Sequence, residues 1–384
     1  MKKLNVSIAG FGFMGGCRSV VYEAVTRYFP SCPVKPVLHQ AFTLPHEVEK
    51  ATASGWQAVT NLDAVITDSE AEYIDVCLPN KMHFNAVMKA LEAGKHVFCE
   101  KPLAVSVDEA RQMTAAAEAR PQLLNSVNFI YRRCPANVYA RRLIKENKFG
   151  KLLEARSYYN QNWGADSKIP FTWRFDKNGG TLADLGSHAF DMLYYTTGMR
   201  PIELVAFQTT HIKRRKEYNK LFAHYGNQPD ECPFVWRDVE TDDATRVMYT
   251  LPGGAIGSLE CTRNAHGTEN THGYELYFEN GAISWNYDDV NYLKIYDATK
   301  PERGWNRVLV NRSGFAYHSF ADGHLEGYRD FSVYAAYENM LKIAGAPEIA
   351  PIATFRDAYD VERTIQAVRT SWENRAWVKL EDFK

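Results

Sequence analysis

Two stretches of this chain bring together residue types that move protons and stabilise charge. In residues 97–104, read VFCEKPLA, Lys101 closes an apolar run, with Glu100 before it and Pro102 after it. An ammonium at the end of a buried strand can hydrogen-bond an oxygen on which negative charge develops. Glu100 can hold that ammonium charged or bond a ribose hydroxyl; the alternative is a plain surface ion pair. In residues 184–191, read DLGSHAFD, Asp184 and His188 are four apart and Asp191 follows. On a helix that spacing puts Asp184 and His188 on one face, with Asp191 close to it. An imidazole titrates near neutrality and can take the proton of an alcohol, while a neighbouring carboxylate orients it and raises its basicity. Asp184 could instead cap the helix. The pair offers only two metal ligands, too few for a zinc centre, so no metal is expected.

A third stretch indicates what these groups act beside. Residues 10–15 read GFGFMG, with Gly10, Gly12 and Gly15 in G-x-G-x-x-G spacing and Phe13 and Met14 between the last two. The first glycine permits a tight turn, the second lets a pyrophosphate approach the backbone, and the third lets helix pack on strand. Lys2-Lys3 and the apolar run after them imitate a leader segment, but the glycine spacing favours a first strand running into a phosphate-binding loop. The acidic residue that usually reads the adenosine ribose is missing near His39-Gln40-Ala41, where the second strand should end, and no arginine stands there for a 2′-phosphate. Gln40 is left as a ribose partner, and the cofactor is NAD or NADP, with a lean to NAD. Pro79 and Asn80 end another apolar run, where an open α/β sheet places its ligands. Asn80 could bond the cofactor or simply make a turn, and His83 sits just inside the helix that follows.

These groups need a scaffold. Up to residue 129, apolar strand patterns (4–9, 37–42, 58–59, 73–78, 96–99 and 123–129) alternate with helix patterns, the clearest over 106–119 with Ser106 and Glu109 as a capping box. The alternation predicts a doubly wound parallel sheet, the Rossmann arrangement. Beyond it the style changes. A helix is expected over 137–148, ending at Gly150. Short β-like runs follow (153–159, 204–210, 245–249, 255–262, 274–278, 282–285 and 292–296), joined by turns such as Glu279-Asn280-Gly281. They predict one open-faced, mostly antiparallel sheet, with helices over 184–197, 328–344 and 355–375 covering one face. The fold class is therefore α/β plus α+β: a dinucleotide-binding domain over 1–129 and an α+β substrate-binding and oligomerisation domain over 130–384. The basic run 211–220 lies in a polar stretch, 211–240, that reads as a solvated loop, a lid or an oligomer contact.

Tyr131, Trp163, Trp173 and Trp285 offer flat apolar faces with polar edges, which suit sugar rings, although each alone could be core. Arg132, Arg133 and Arg174 add donors for a hydroxyl-rich ligand, or pair with internal carboxylates. A net charge of −1 leaves no electrostatic footprint for nucleic acid or an anionic membrane. No apolar run approaches the ~20 residues that span a bilayer. The seven cysteines are scattered without a C-x-x-C pair, which fits reduced thiols in the cytoplasm.

Together GFGFMG, LPNKMHF, EKPLA and DLGSH resemble the Gfo/Idh/MocA family of NAD(P)-dependent oxidoreductases, over nearly the whole chain. NFIYRRCPA, NWGAD, TWRF, CTRNAHG and GYRDF are similar to its levoglucosan dehydrogenase and inositol dehydrogenase-like subgroup. The resemblance implies Lys101, Asp184 and His188 as the catalytic set, and dimers or tetramers formed through the second domain's sheet. It implies hydride transfer between NAD(P) and a ring hydroxyl of a sugar, sugar derivative or inositol. Substrate is then expected against Lys101, Tyr131, Arg132, Trp163, Asp184 and His188. Cofactor is expected against Gly10, Gly12, Phe13, Met14, Gly15, Gln40, Pro79, Asn80, His83, Glu100, Lys101, Trp173 and Arg174. The chain departs from NAD-using relatives at Gln40, where an acid is usual, and at Ile130, where an asparagine often precedes the Tyr-Arg pair. Two other activities fit such a chain: a glycosidase that uses NAD transiently, and a non-catalytic NAD(P)-binding regulator. The intact Lys101/Asp184/His188 set argues against the regulator.

Overall fold

In the computed structural model, which describes residues 1–177, 179–218, 232–319 and 321–384, β1 (Lys2–Ala9) runs into the glycine loop and α1 (Phe13–Tyr28) leaves it. The chain then alternates through β2 (Val34–Phe42), α2 (Val48–Ala53), β3 (Gln57–Val59), α3 (Leu62–Thr67), β4 (Tyr73–Val76), α4 (His83–Glu92), β5 (His96–Cys99), α5 (Val107–Glu118) and β6 (Asn125–Val127). The six strands form one parallel sheet in the order β3-β2-β1-β4-β5-β6. Its central strands are apolar throughout because helices cover both faces, and every residue of β4 is buried. Strand order reverses at β1, so the ligand crevice of this sheet opens beyond the carboxyl ends of β1 and β4. A Cβ at Gly15 would stand 2.1 Å from the Gly10 carbonyl oxygen, so only glycine lets α1 lie this close to the loop.

The chain forms two compact units. The first comprises Met1–Tyr139 and Leu309–Glu362, the second Ala140–Val308 and Arg363–Lys384. α6 is Pro135–Lys145, two residues earlier at its start and three at its end than the sequence suggested; Pro135 suits a first turn, where its missing N–H costs nothing. The capping box at Ser106 closes differently from expectation. The Ser106 hydroxyl accepts the Glu109 N–H at 3.2 Å, but the Glu109 carboxylate accepts the N–H of Val105. The helix expected over 328–344 to lie on the second sheet, α8 (Tyr328–Ile343), packs instead in the first unit. There Tyr337 stacks on Phe29 with centroids 3.9 Å apart, and Asn339 donates to the Tyr73 hydroxyl at 2.9 Å.

In the second unit, β7 (Leu152–Asn160), β8 (Glu203–Thr209), β11 (Ala244–Thr250), β12 (Ile256–Thr262), β13 (Thr271–Phe278), β14 (Gly281–Asn286), β15 (Tyr292–Asp297), β16 (Trp305–Leu309) and β17 (Val378–Lys379) build a nine-stranded sheet. It is antiparallel except where β12 lies parallel to β7. One face is covered by α7 (Ser187–Thr197), which is buried all round and meets the sheet through Phe190 and Tyr249, 6.3 Å apart. Beside β8 lies the end of α9 (Phe355–Asn374), where the Ser371 hydroxyl accepts the Ala206 N–H at 3.0 Å. Two further strands correct the expectation of a loop over 211–240. β9 (Arg214–Tyr218) and β10 (Phe234–Asp238) pair as an antiparallel ribbon, with Lys216 4.3 Å above the Phe234 ring. Residues 219–231 of that stretch, Lys220 among them, lie outside the described residues. Among the described residues, no helix is long and apolar enough to cross a membrane.

Candidate active site

The crevice of the first unit is lined by three turns. The glycine loop leaves Gly12 with nothing within 4 Å of a built Cβ, and no side chain caps the first N–H groups of α1. Phe13 is 82% exposed and Met14 half-buried, so neither closes the cradle. Beyond β4, Pro79 leads into a short helical turn, Asn80–Met82; Asn80 is buried and its amide nitrogen has no protein partner. His83 ties this turn to the next one, its ring nitrogens 2.8 Å from the Leu78 carbonyl oxygen and 3.0 Å from that of Pro102. Burial holds its pKa below the usual imidazole value. Lys101 follows the last residue of β5 and is half-buried.

Glu100 stands in a buried ion cluster that its sequence neighbours did not reveal. Its carboxylate accepts from Arg18 at 2.6 Å and from the Asn128 amide at 2.8 Å. Arg18 also pairs with Asp75 at 2.9 Å, and the Tyr22 hydroxyl donates to Asp75 at 2.6 Å. Burial pushes the Glu100 carboxyl above the usual range, against the opposing pull of Arg18.

The ribose end differs from the sequence reading. β2 does not stop near residues 39–41 but runs to Phe42. Gln40 lies inside it and donates to Asp68 at 2.6 Å. An acid does stand past the strand end, supplied by the following turn: the Glu47 carboxylate folds back onto the Leu44 N–H at 3.2 Å.

In the second unit the helix expected over 184–197 begins as a π-helical turn, Leu182–Gly186, before α7 takes over at Ser187. Such wide turns recur at functional sites. Asp242, on the loop before β11, anchors it: its carboxylate accepts the Leu182 N–H at 2.9 Å and the Thr245 hydroxyl at 2.7 Å. Within this turn Asp184 is buried, and one carboxylate oxygen accepts from Arg263 at 2.9 Å and Arg174 at 3.2 Å. Arg263, fully buried, also donates to the carbonyls of Gly180 and Arg174 and lies 5.0 Å from the Trp163 ring centroid. His188 is buried beside Tyr159, rings 5.9 Å apart, and Asp191 is buried further along the same helix. Thus Trp163, Arg174 and Asp184 gather around one guanidinium, with His188 one helical turn beyond Asp184.

Other candidates are placed elsewhere. Arg132 and Arg133 are buried in a short turn of the first unit, Ile130–Arg133. Arg132 reaches Asp357 at 3.4 Å, and Arg133 donates to the Tyr317 hydroxyl and the Ala350 carbonyl. Tyr131 is buried and its carbonyl accepts the Asn137 amide at 2.9 Å. Trp173 is partly exposed, with Arg174 4.4 Å above its ring. Trp285 is core, edge-on to His272 at 5.5 Å.

His272 itself stacks on Tyr159 at 4.7 Å and donates from Nδ1 to the Tyr158 carbonyl at 2.9 Å; burial pushes its pKa down to about 4. The unfolded chain, with an ordinary imidazole, takes this proton at higher pH than the folded one. Stability is therefore expected to fall as pH drops from about 6.5 towards about 4, by up to about 1.4 kcal/mol per pH unit. Urea midpoints at pH 7, 6 and 5 check this. An identical slope in His272→Gln would remove His272 as the cause.

These observations fit a dinucleotide: an open glycine cradle, uncapped helix N–H groups for a pyrophosphate, and a carboxylate at the ribose end. Residues 4–129 match the family model for an oxidoreductase family with an NAD-binding Rossmann fold, and residues 138–284 match that for the GFO/IDH/MocA C-terminal domain. Levoglucosan dehydrogenase of Pseudarthrobacter phenanthrenivorans is 30% identical over 398 aligned residues, covering 99% of each chain. The chain belongs to the Gfo/Idh/MocA oxidoreductase family. A solved structure of levoglucosan dehydrogenase in complex with NADH and levoglucosan is similar with a TM-score of 0.89 at 29% identity, over 99% of this chain and 100% of that one. An oxidoreductase domain protein from Kribbella flavida is similar with a TM-score of 0.90 at 33% identity, again over 99% and 100%. As a Gfo/Idh/MocA protein the chain is an NAD(P)-dependent oxidoreductase.

Proposed function

We propose that this oxidoreductase reversibly oxidises a ring hydroxyl of a sugar, sugar derivative or inositol to a ketone, with NAD as cofactor and Lys101, Asp184 and His188 as its catalytic residues. The observation that carries the reading is the buried carboxylate–imidazole pair, Asp184 and His188, set beside Tyr159 and Trp163. His188 removes the hydroxyl proton. Lys101 donates a hydrogen bond to the same oxygen as negative charge develops on it. Asp184, held by Arg174 and Arg263, stays ionised and orients both the substrate and His188. The nicotinamide, when bound, supplies the hydride acceptor. The NADH complex of levoglucosan dehydrogenase and the Glu47 carboxylate at the ribose end both support NAD over NADP.

The test is a panel of sugars, anhydrosugars and inositols with each cofactor, followed by absorbance of the reduced nicotinamide. Accumulating NADH with an oxidised ring is the expected result. Release of a cleaved glycoside without net NADH would instead mean a hydrolase.

The same reading assigns the uncovered face of the nine-stranded sheet to a homodimer or homotetramer contact in the cytoplasm. Met248 (60% exposed) and Ile256 (56%) lie there beside the Arg246–Glu260 pair, an apolar and ion-paired surface. Light scattering should give a dimer or tetramer, and Met248→Glu should shift it towards monomer; an unchanged assembly would move the contact elsewhere. All seven cysteines are free thiols, in keeping with a reducing compartment.

A further inference from the structure

Arg18 lies in α1, 82 residues before Glu100 in sequence, yet its guanidinium is buried between two carboxylates. Nε holds Asp75 of β4 at 2.9 Å and Nη2 holds Glu100 at 2.6 Å, while the guanidinium carbon lies 4.8 Å from the Phe98 ring centroid on β5. Two carboxylates share one guanidinium, so the cluster carries one surplus negative charge in a place from which water is excluded. A charge of that kind is costly unless a further cation matches it. The next residue after Glu100 is Lys101, and its charge eases the ionisation of Glu100. Asp75, Arg18, Glu100 and Lys101 thus alternate in sign from the middle of the sheet to its carboxyl edge.

We propose that Arg18 is a positioning residue for Lys101: by gripping Glu100 and Asp75 together it fixes the turn that carries Lys101 and keeps an anionic neighbour beside that ammonium. This rests on Lys101 acting as proposed above. Arg18 touches neither turn of the crevice directly; it acts through Glu100. The other groups that face the cluster are Tyr22 from α1, Tyr73 and Cys77 from and just beyond β4, Cys99 from β5, and Asn128 beyond β6. None of these is a second cation, so nothing else replaces the guanidinium.

Arg18→Met removes the fork and keeps much of the apolar stem. The expected result is a fall in kcat of about 100-fold, the scale of a small misplacement of a catalytic group, with NADH affinity by fluorescence titration within about threefold of wild type. Glu100, no longer facing Arg18, should hold its proton to higher pH, so the acid limb of the kcat profile should move up. Arg18→Lys keeps a charge but cannot fork, and should fall between. It also serves as the deciding variant if Arg18→Met does not fold. In a Lys101→Ala background, Arg18→Met should cost little more, because both changes disable one unit. Full additivity, a wild-type kcat and profile in both Arg18 variants, or a loss of NADH binding matching the loss of kcat would each overturn the inference. Undiminished turnover in Lys101→Ala alone would instead overturn the assignment of Lys101.

Discussion

Lys101→Ala is expected to lose about 100- to 1000-fold in kcat while NADH binding survives, the size of effect seen when one preorganised donor to a developing oxyanion is removed. His188→Ala should lose about 100- to 10,000-fold, the range for a general base. The cofactor is cradled elsewhere, by the glycine loop and the turn at Asn80, so its affinity should barely respond. A group that acts only as charge develops lowers kcat and kcat/KM together, and that pattern in single-turnover and steady-state assays is the check. Near-normal turnover in either variant would show that the proton and the developing charge are handled by other residues.

Arg263→Met is expected to have the second largest effect, on folding and on activity together. Arg263 holds Asp184 at 2.9 Å and donates to the carbonyls of Gly180 and Arg174, with none of its side chain exposed. Its removal leaves a buried carboxylate facing Arg174 alone and two carbonyls without their donor. Breaking a buried pair from one side costs about 3–5 kcal/mol, which should show as a large drop in the urea midpoint. Arg263→Lys keeps the charge but cannot serve three acceptors in a fork, and should recover only part of it. A variant with the wild-type midpoint and wild-type kcat would show that Asp184 does not depend on this clamp.

What was legible in the chain was what depends on neighbours in sequence. The glycine loop, the apolar runs of the parallel sheet and the Asp184/His188 spacing are local patterns, and each lies on the expected kind of element or next to it. The ion partners were not legible. Arg18 meets Glu100 across 82 residues and Arg263 meets Asp184 across 79, and neither stretch carries a pattern that names the other. The motif CTRNAHG contained Arg263, but only the fold shows which carboxylate it serves. α8 was sent to the wrong sheet because a helix apolar on every side gives no clue to its partner. The ribose acid was missed because it comes from the turn after β2, reached by a backbone reversal rather than by continuing the strand. The ribbon β9–β10 was hidden by its charges, which lie over aromatic rings of the paired strand.

The widened turn at Leu182–Gly186 has a consequence for how this enzyme tolerates insertions and deletions. A π turn holds one residue more than an α turn. Excising a single residue there would let the segment relax to ordinary α geometry and rotate everything after it by about 100° relative to what precedes it. Homologues that lose one position in this stretch should therefore have lost the imidazole's aim as well, even with every site residue still spelled out in their sequences.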